Sequence, residues 1–90
     1  MLSPARTADR VLVDVCRVTG MTRQDARYGR GRRAMTYTRW AWIWLTWQVL
    51  GEPGDRVIAD ACGRSIKEVR HVVANAPYSG AWPIVKAVLR

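Results

Sequence analysis

The segment from Asp55 to Ala74, DRVIADACGRSIKEVRHVVA, constrains the fold more than any other, because its spacing is typical of a helix-turn-helix. Ala59 is a small residue where the two helices would cross. Gly63 follows four positions later, where the turn needs a residue that tolerates unusual backbone angles. Apolar residues recur at helical spacing on the inward side: Ile58, Cys62, Val69, Val72 and Val73.

The start of the second helix is predicted by a capping box. Ser65 is followed three residues later by Glu68, which predicts that the helix begins at Ile66. An ordinary helical hairpin is the alternative, but the small residue, the turn, the cap and the apolar spacing all agree on a helix-turn-helix. The outward side of this second helix would carry Lys67, Arg70 and His71, where a recognition helix has its DNA contacts.

The charge of the chain favours an anionic partner. Its 90 residues suffice for one small domain, and its 15 Lys and Arg against seven acids give a formal charge of +8. A basic excess of this size suggests nucleic acid or a membrane surface. Because we see neither an apolar run of membrane-spanning length nor a signal sequence, we expect a cytoplasmic, nucleoid-associated protein.

The cysteines do not predict a reactive or metal-binding site. Cys16 and Cys62 lie within apolar patterns, and His71 is the one histidine, so we expect reduced, buried thiols rather than zinc or disulfides. Cys62 should point inward and His71 outward, which argues against a nucleophile and base pair. We therefore expect no catalytic residue, no metal, no cofactor and no enzyme activity.

The chain before residue 29 predicts two helices. Residues 1–6 should be a flexible end, and Thr7 is expected to cap a helix that runs to about Val18. Thr22 and Asp25 form another capping box, which predicts a short helix from Arg23 to Tyr28. The inner face of the first helix should carry Val11, Leu12, Val15, Cys16 and Val18.

A basic loop and a Trp-rich helix precede the helix-turn-helix. The loop GRGRR, residues 29–33, is either a solvated loop or a DNA contact; its place beside a helix-turn-helix favours a contact with the DNA backbone or minor groove. Thr36 or Thr38 would cap the next helix, which ends at Gly51 and is apolar on every side, as expected of the hub of the core. One arc of this helix contains Ala41, Trp42, Leu45 and Val49, and the other contains Trp40, Trp44 and Trp47.

The two Trp arcs have two interpretations. Both arcs pack, one on the helix-turn-helix and the other on the first helix and the carboxyl-terminal tail; or Trp40, Trp44 and Trp47 form an exposed surface for a protein partner. After the hub helix, Asp55 should cap the helix-turn-helix. Pro77 should end the recognition helix, and Pro83 should open a last short helix. The fold class expected is all-α, with five or six helices: residues 7–77 form the helix-turn-helix domain, and residues 78–90 a loop and helix packed on it.

From Val11 to Ala76 this order resembles the carboxyl-terminal DNA-binding domain of DnaA, the bacterial replication initiator. Arg39 falls where that family has an Arg that enters the minor groove. The stretch ADACGRSIKEV lies along the family signature, with Arg64 at its Arg and Val69 at its apolar anchor.

One departure from the family is informative. Where the signature has Asp-His-Thr, which reads bases, this chain has Ser65, Ile66 and Lys67, so we do not expect it to recognise the same DNA box. The ATPase part of an initiator is absent from these 90 residues. The resemblance therefore implies a free-standing regulator, similar to those of phages or gene-transfer agents.

The sequence thus predicts a sequence-specific binder of double-stranded DNA that regulates transcription, as an activator of phage-like or gene-transfer-agent genes. A second DNA-binding protein or the transcription machinery is the further partner expected; the oligomeric state is left open. The alternatives are a replication-initiation factor of a phage or plasmid, and an adaptor that uses the Trp helix. The base-reading residues expected are Ile66, Lys67, Arg70 and His71. The backbone and minor-groove contacts expected are Arg30, Arg32, Arg33, Arg39, Arg64 and Ser65.

Overall fold

A computed structural model describes residues 2–90, and within that range the chain is helical and has no strand. The all-α prediction is therefore confirmed at this level. None of the described helices is both long and apolar enough to cross a membrane. The elements are α1 (Pro4–Thr19), α2 (Arg23–Tyr28), α3 (Arg33–Val49), α4 (Asp55–Cys62), α5 (Ile66–Asn75), a 3₁₀ turn (Ala76–Tyr78) and α6 (Trp82–Val88).

Helix α1 begins earlier than predicted. Its cap is Ser3, whose hydroxyl accepts a hydrogen bond from the Arg6 amide at 3.3 Å, and Pro4 takes the first helical position, which suits proline. Thr7 is not a cap but a buried residue inside the helix. The prediction of a flexible end over residues 1–6 is wrong for Pro4 to Arg6; Met1 lies outside the described residues. The predicted inner face is correct for Val11, Leu12 and Val15, but Val18 is exposed.

Helix α2 has the predicted bounds, whereas α3 does not have the predicted cap. The Thr22 hydroxyl accepts from the Asp25 amide at 3.1 Å and starts α2. Helix α3 begins at Arg33, after Arg32, which makes no side-chain capping bond. Thr38 lies inside α3, where its hydroxyl donates to the Ala34 carbonyl at 2.7 Å. A Thr inside a helix bonds to the preceding turn in this way, so it was a misleading cap signal.

Helix α3 is the hub of the core, as its apolar composition predicted, and it contacts every other element. Trp42 lies fully buried at its centre, and its indole N–H donates to the Ala8 carbonyl of α1 at 2.8 Å. A buried Trp needs such a partner for its one polar group. This hydrogen bond ties the hub to α1, which does not contact α5.

The second Trp arc is half-buried rather than fully buried. Trp40 packs edge-on against His71 of α5, with 5.2 Å between ring centroids. Trp44 packs edge-on against Trp47 and against Trp82 of the tail, with 6.0 Å and 5.1 Å between centroids. The predicted packing on the helix-turn-helix and on the tail is therefore found within this one arc. Val49, assigned to the other arc, is 62% exposed, so its expected burial is wrong.

Helices α4 and α5 have the turn and spacing predicted for a helix-turn-helix. Gly63 has a φ of 67°, the left-handed conformation that favours glycine, and the Arg64 amide donates back to the Ala59 carbonyl at 2.9 Å. Ser65 caps α5 by accepting from the Glu68 amide at 3.1 Å. The predicted cap of α4 is wrong: Gly54 takes that position and Asp55 is the first helical residue.

The tail closes the core from the other side. Pro77 lies in the 3₁₀ turn directly after α5, and Pro83 lies in the first turn of α6, both as predicted. Val85 of α6 is fully buried, and α6 contacts α1 and α3. Neither α1 nor α6 contacts α5; of the segments that follow α5, the adjoining 3₁₀ turn is the one that contacts it.

Candidate nucleic-acid interface

The outward side of α5 presents three basic or ionisable side chains. Lys67, Arg70 and His71 are all exposed, as the spacing predicted. Ile66, the fourth residue expected to read bases, is half-buried and packs against the core, so its outward reach is small. Val69 and Val72, fully buried, fix which side of α5 faces out.

Two of these side chains contact neighbouring helices, Arg70 on one side of α5 and His71 on the other. Arg70 is 71% exposed, and its Nε donates to the Asp55 carboxylate of α4 at 2.8 Å. His71 lies on the other side, where its ring meets Trp40 of α3. Asn75 also bonds to the His71 carbonyl at 2.7 Å. Helix α5 is thus flanked by α4 through a carboxylate and by α3 through an aromatic ring.

Aromatic residues connect the helix that follows the basic loop to α5. Arg33 opens α3, and Tyr37 and Trp40 follow at positions four and seven on the same helix face. The Tyr37 and Trp40 rings are 6.0 Å apart, and Trp40 then meets His71. An aromatic row therefore links the end of the basic loop to the outward side of α5.

Arg30, Arg32 and Arg33 are exposed and have no carboxylate within ion-pairing distance among the described residues. The same holds for Lys67 on α5. Four cations, three next to α2 and α3 and one on α5, therefore have no ion pair, and unpaired charges of one sign contribute a positive potential. We call these four residues, with Arg70 and His71, the basic face.

The structure places Arg39, predicted to enter the DNA minor groove, inside the protein. Its side chain is buried, with 8% of the residue exposed, and it binds the chain itself. Nε donates to the carbonyls of Ala26 and Arg27 at 2.9 Å, and a terminal nitrogen donates to the Gly29 carbonyl at 2.5 Å. The carbonyls at the end of a helix lack intrahelical partners and carry partial negative charge, so a guanidinium fits there.

Burial lowers the pKa of Arg39 below its usual value, and the nearby Arg64 and Arg30 guanidinium groups lower it further, against the opposing effect of Glu68. The Arg39 guanidinium therefore occupies a crowded positive site inside the fold.

Arg64, also predicted to contact the DNA backbone, is mostly engaged within the protein. Its Nε donates to the Glu68 carboxylate at 2.7 Å, and a terminal nitrogen donates to the Arg27 carbonyl at 2.9 Å. Arg64 thus joins the end of α2, where the basic loop begins, to the first turn of α5. Ser65 is exposed but its hydroxyl is used as the cap, so a DNA phosphate at this position would meet backbone N–H groups.

Arg27 is a structural residue that the sequence analysis missed. Its guanidinium pairs with Asp9 of α1 at 2.7 Å and lies over the buried Trp42 ring, 5.0 Å from the centroid. A cation over an aromatic face is stabilising. Asp9 lies 18 positions from Arg27, and the three residues belong to three different helices, so no local spacing signals their meeting.

The structure buries Cys62 and exposes His71, the inward and outward positions that their spacing predicted. Burial raises the pKa of the Cys62 thiol to about 12. Burial also raises the pKa of Cys16, which is partly covered. Both thiols are therefore protonated at neutral pH and are poor nucleophiles.

The alternative partner surface of Trp40, Trp44 and Trp47 is partly occupied by intramolecular packing. Trp40 is against His71 and Trp44 is against Trp82, so these rings do not form a free aromatic patch.

Comparison of the chain with protein-family models, with curated proteins and with solved structures found no match.

Proposed function

We propose that this protein is a sequence-specific double-stranded DNA-binding protein that regulates transcription, as an activator of phage-like or gene-transfer-agent genes in the cytoplasm. The observation that carries the proposal is the basic face: the loop has exposed cations without ion pairs, Arg64 joins the start of this loop to the first turn of α5, and the exposed side of α5 is basic. The resemblance to the DnaA carboxyl-terminal domain adds the biological context.

In this proposal α5 enters the major groove. Lys67 and Arg70 donate to guanine acceptors, and His71 contacts a base edge or phosphate. Arg30, Arg32 and Arg33 bind phosphates or the adjacent minor groove, because exposed Arg on a glycine-containing loop suits that narrow, electronegative groove. Arg39 and Arg64 contribute indirectly, because they bind main-chain carbonyls at the end of α2, where the basic loop begins.

A protein-interaction adaptor is supported less well. That function needs a free Trp surface, whereas Trp40 and Trp44 already pack against His71 and Trp82. The basic face would also have no partner in an adaptor, and uncompensated charges of one sign oppose folding through self-repulsion.

The first experiment is a binding selection from random 20-base-pair duplexes, followed by affinity measurements from about 50 to 200 mM salt. Five or six phosphate contacts would give a logarithmic salt slope of about −5. An enriched motif that binds at least about 100-fold more tightly than random duplex would support a specific regulator. No enrichment and no binding at 50 mM salt would refute DNA binding.

A pair of variants separates the basic face from net charge. Replacing Arg32 and Arg33 by Ala should weaken binding to all duplexes and flatten the salt slope by about two units. Arg10→Ala with Arg17→Ala removes the same charge from α1, which does not contact α5. Equal losses in both pairs would show non-specific attraction and no loop contact.

Gene regulation is tested in the native host by crosslinking the bound DNA and sequencing RNA after deletion of the gene. Binding upstream of genes whose transcripts fall on deletion would support an activator. Binding confined to one AT-rich origin would support the replication alternative.

A further inference from the structure

The carboxylate of Asp55 has a position that the capping of its own helix does not explain. Acids in the first turn of a helix usually accept from local backbone N–H groups or offset the helix dipole. Asp55 makes no capping bond in α4; its Oδ2 atom accepts from Arg70 Nε across the turn, at 2.8 Å. The carboxylate is about two-thirds covered, although Arg70 itself is 71% exposed.

The geometry leaves the reading edge of Arg70 free. A guanidinium has five N–H donors in a planar fork, of which Nε–H is the one bound to Asp55. The two terminal nitrogens have no acceptor among residues 2–90. Bidentate donation to guanine O6 and N7 uses two such N–H groups.

We propose that Asp55 is a specificity-determining residue that holds Arg70 in the orientation that reads one guanine. This inference rests on the proposed function. A long, exposed Arg loses conformational freedom when it binds, and an anchor at Nε removes part of that freedom in advance. Without the anchor, Arg70 could turn toward a phosphate, which carries no sequence information.

The same carboxylate opposes binding to every DNA. It brings a negative charge close to the phosphates, and like charges lower affinity regardless of sequence. Asp55 therefore has two effects of opposite sign: weaker binding to any duplex, and stronger discrimination at one base pair. An acid that only stabilised α4 would not combine weaker binding to every duplex with stronger discrimination at one base pair.

The test compares the wild type, Asp55→Asn and Asp60→Asn on the selected 20-base-pair site, on its single-base variants and on random duplex. Asp60 is exposed on the same helix and has no ion pair in the described chain, so it is matched in charge and helix. Arg70→Ala first identifies the guanine, as the position where this variant no longer discriminates.

We expect Asp55→Asn to bind random duplex about 2–5-fold more tightly and to discriminate that guanine about 3–10-fold less well. Asp60→Asn should raise random binding without losing discrimination. In the Arg70→Ala background, Asp55→Asn should change random binding alone.

If Asp55→Asn tightens binding to all duplexes equally, Asp55 is only an electrostatic brake and the inference is wrong, while DNA binding stands. If the wild type binds no duplex, the inference falls together with the proposed function. Thermal unfolding of each variant confirms that it is folded at the assay temperature.

Discussion

Replacing Arg39 by Ala tests whether this residue belongs to the fold or to the DNA interface. In the structure its guanidinium satisfies three carbonyls at the end of α2. A hydrogen bond from a charged donor contributes about 1.5–3 kcal/mol. Nε is shared between two acceptors, and Arg64 still serves the Arg27 carbonyl in the variant, so about two full bonds are lost.

We therefore expect Arg39→Ala to lower the free energy of unfolding by about 3–4 kcal/mol, after allowing for relief of the Arg64 repulsion. A domain of this size has about 5–13 kcal/mol in total, so the variant should fold but with a much lower denaturation midpoint. Arg39→Lys keeps the charge but not the planar fork and should lose about half as much. Urea unfolding at 25 °C, followed by circular dichroism, measures both.

DNA binding by the folded fraction completes this test. Arg39→Ala should bind DNA more weakly than the wild type, because the start of the basic loop loses its bond at the Gly29 carbonyl. Arg39→Lys should bind nearly as well as the wild type. A loss of stability below about 0.5 kcal/mol, together with a large loss of affinity, would refute the reasoning and return Arg39 to the minor groove.

Three further changes probe the anchoring of the basic loop and the core. Arg64→Ala should weaken DNA binding about 5-fold in the wild type but not in a background that lacks Arg32 and Arg33, because Arg64 acts through the loop; additive losses would instead indicate a direct phosphate contact. Gly29→Ala should cost about 2 kcal/mol on thermal unfolding, since an added Cβ would meet the Asp25 carbonyl and the Met35 side chain; Gly31→Asn, in open space at a positive φ that Asn tolerates, is the mild control. The unfolded Cys62 thiol ionises near pH 9 and the buried one near pH 12, so raising the pH through this interval should destabilise the wild type relative to Cys62→Ala by about 1.4 kcal/mol per unit; parallel unfolding curves for the two proteins would contradict the burial.

The features predicted well from the sequence are those that depend on neighbouring residues. Ser65 and Thr22 cap α5 and α2 because each hydroxyl reaches an amide three residues ahead. Gly63 occupies the turn because that position needs a positive φ, which depends on the residue itself. These signals are complete within one turn of helix. The central position of α3 was predicted in the same way, from apolar residues on every side of one helix.

The features that were missed depend on residues that meet only in the folded protein. Arg39 and Arg64 both look like DNA-binding residues in a basic chain, but the end of α2 competes for them. Asp55 precedes an apolar pattern as caps do, yet an Arg from the next helix attracts its carboxylate. In each case a charged side chain had two plausible partners, and tertiary distance decided between them.

The anchors on α2 make the basic loop a replaceable module. Arg39 and Arg64 grip main-chain oxygens at positions 26, 27 and 29, and atoms of this kind are the same whatever the side chain. The residues at positions 30 to 33 can therefore vary in charge and length while the point where the loop leaves α2 stays constant. The charge of this surface can therefore change, in evolution or by engineering, without a change in the helices that present it.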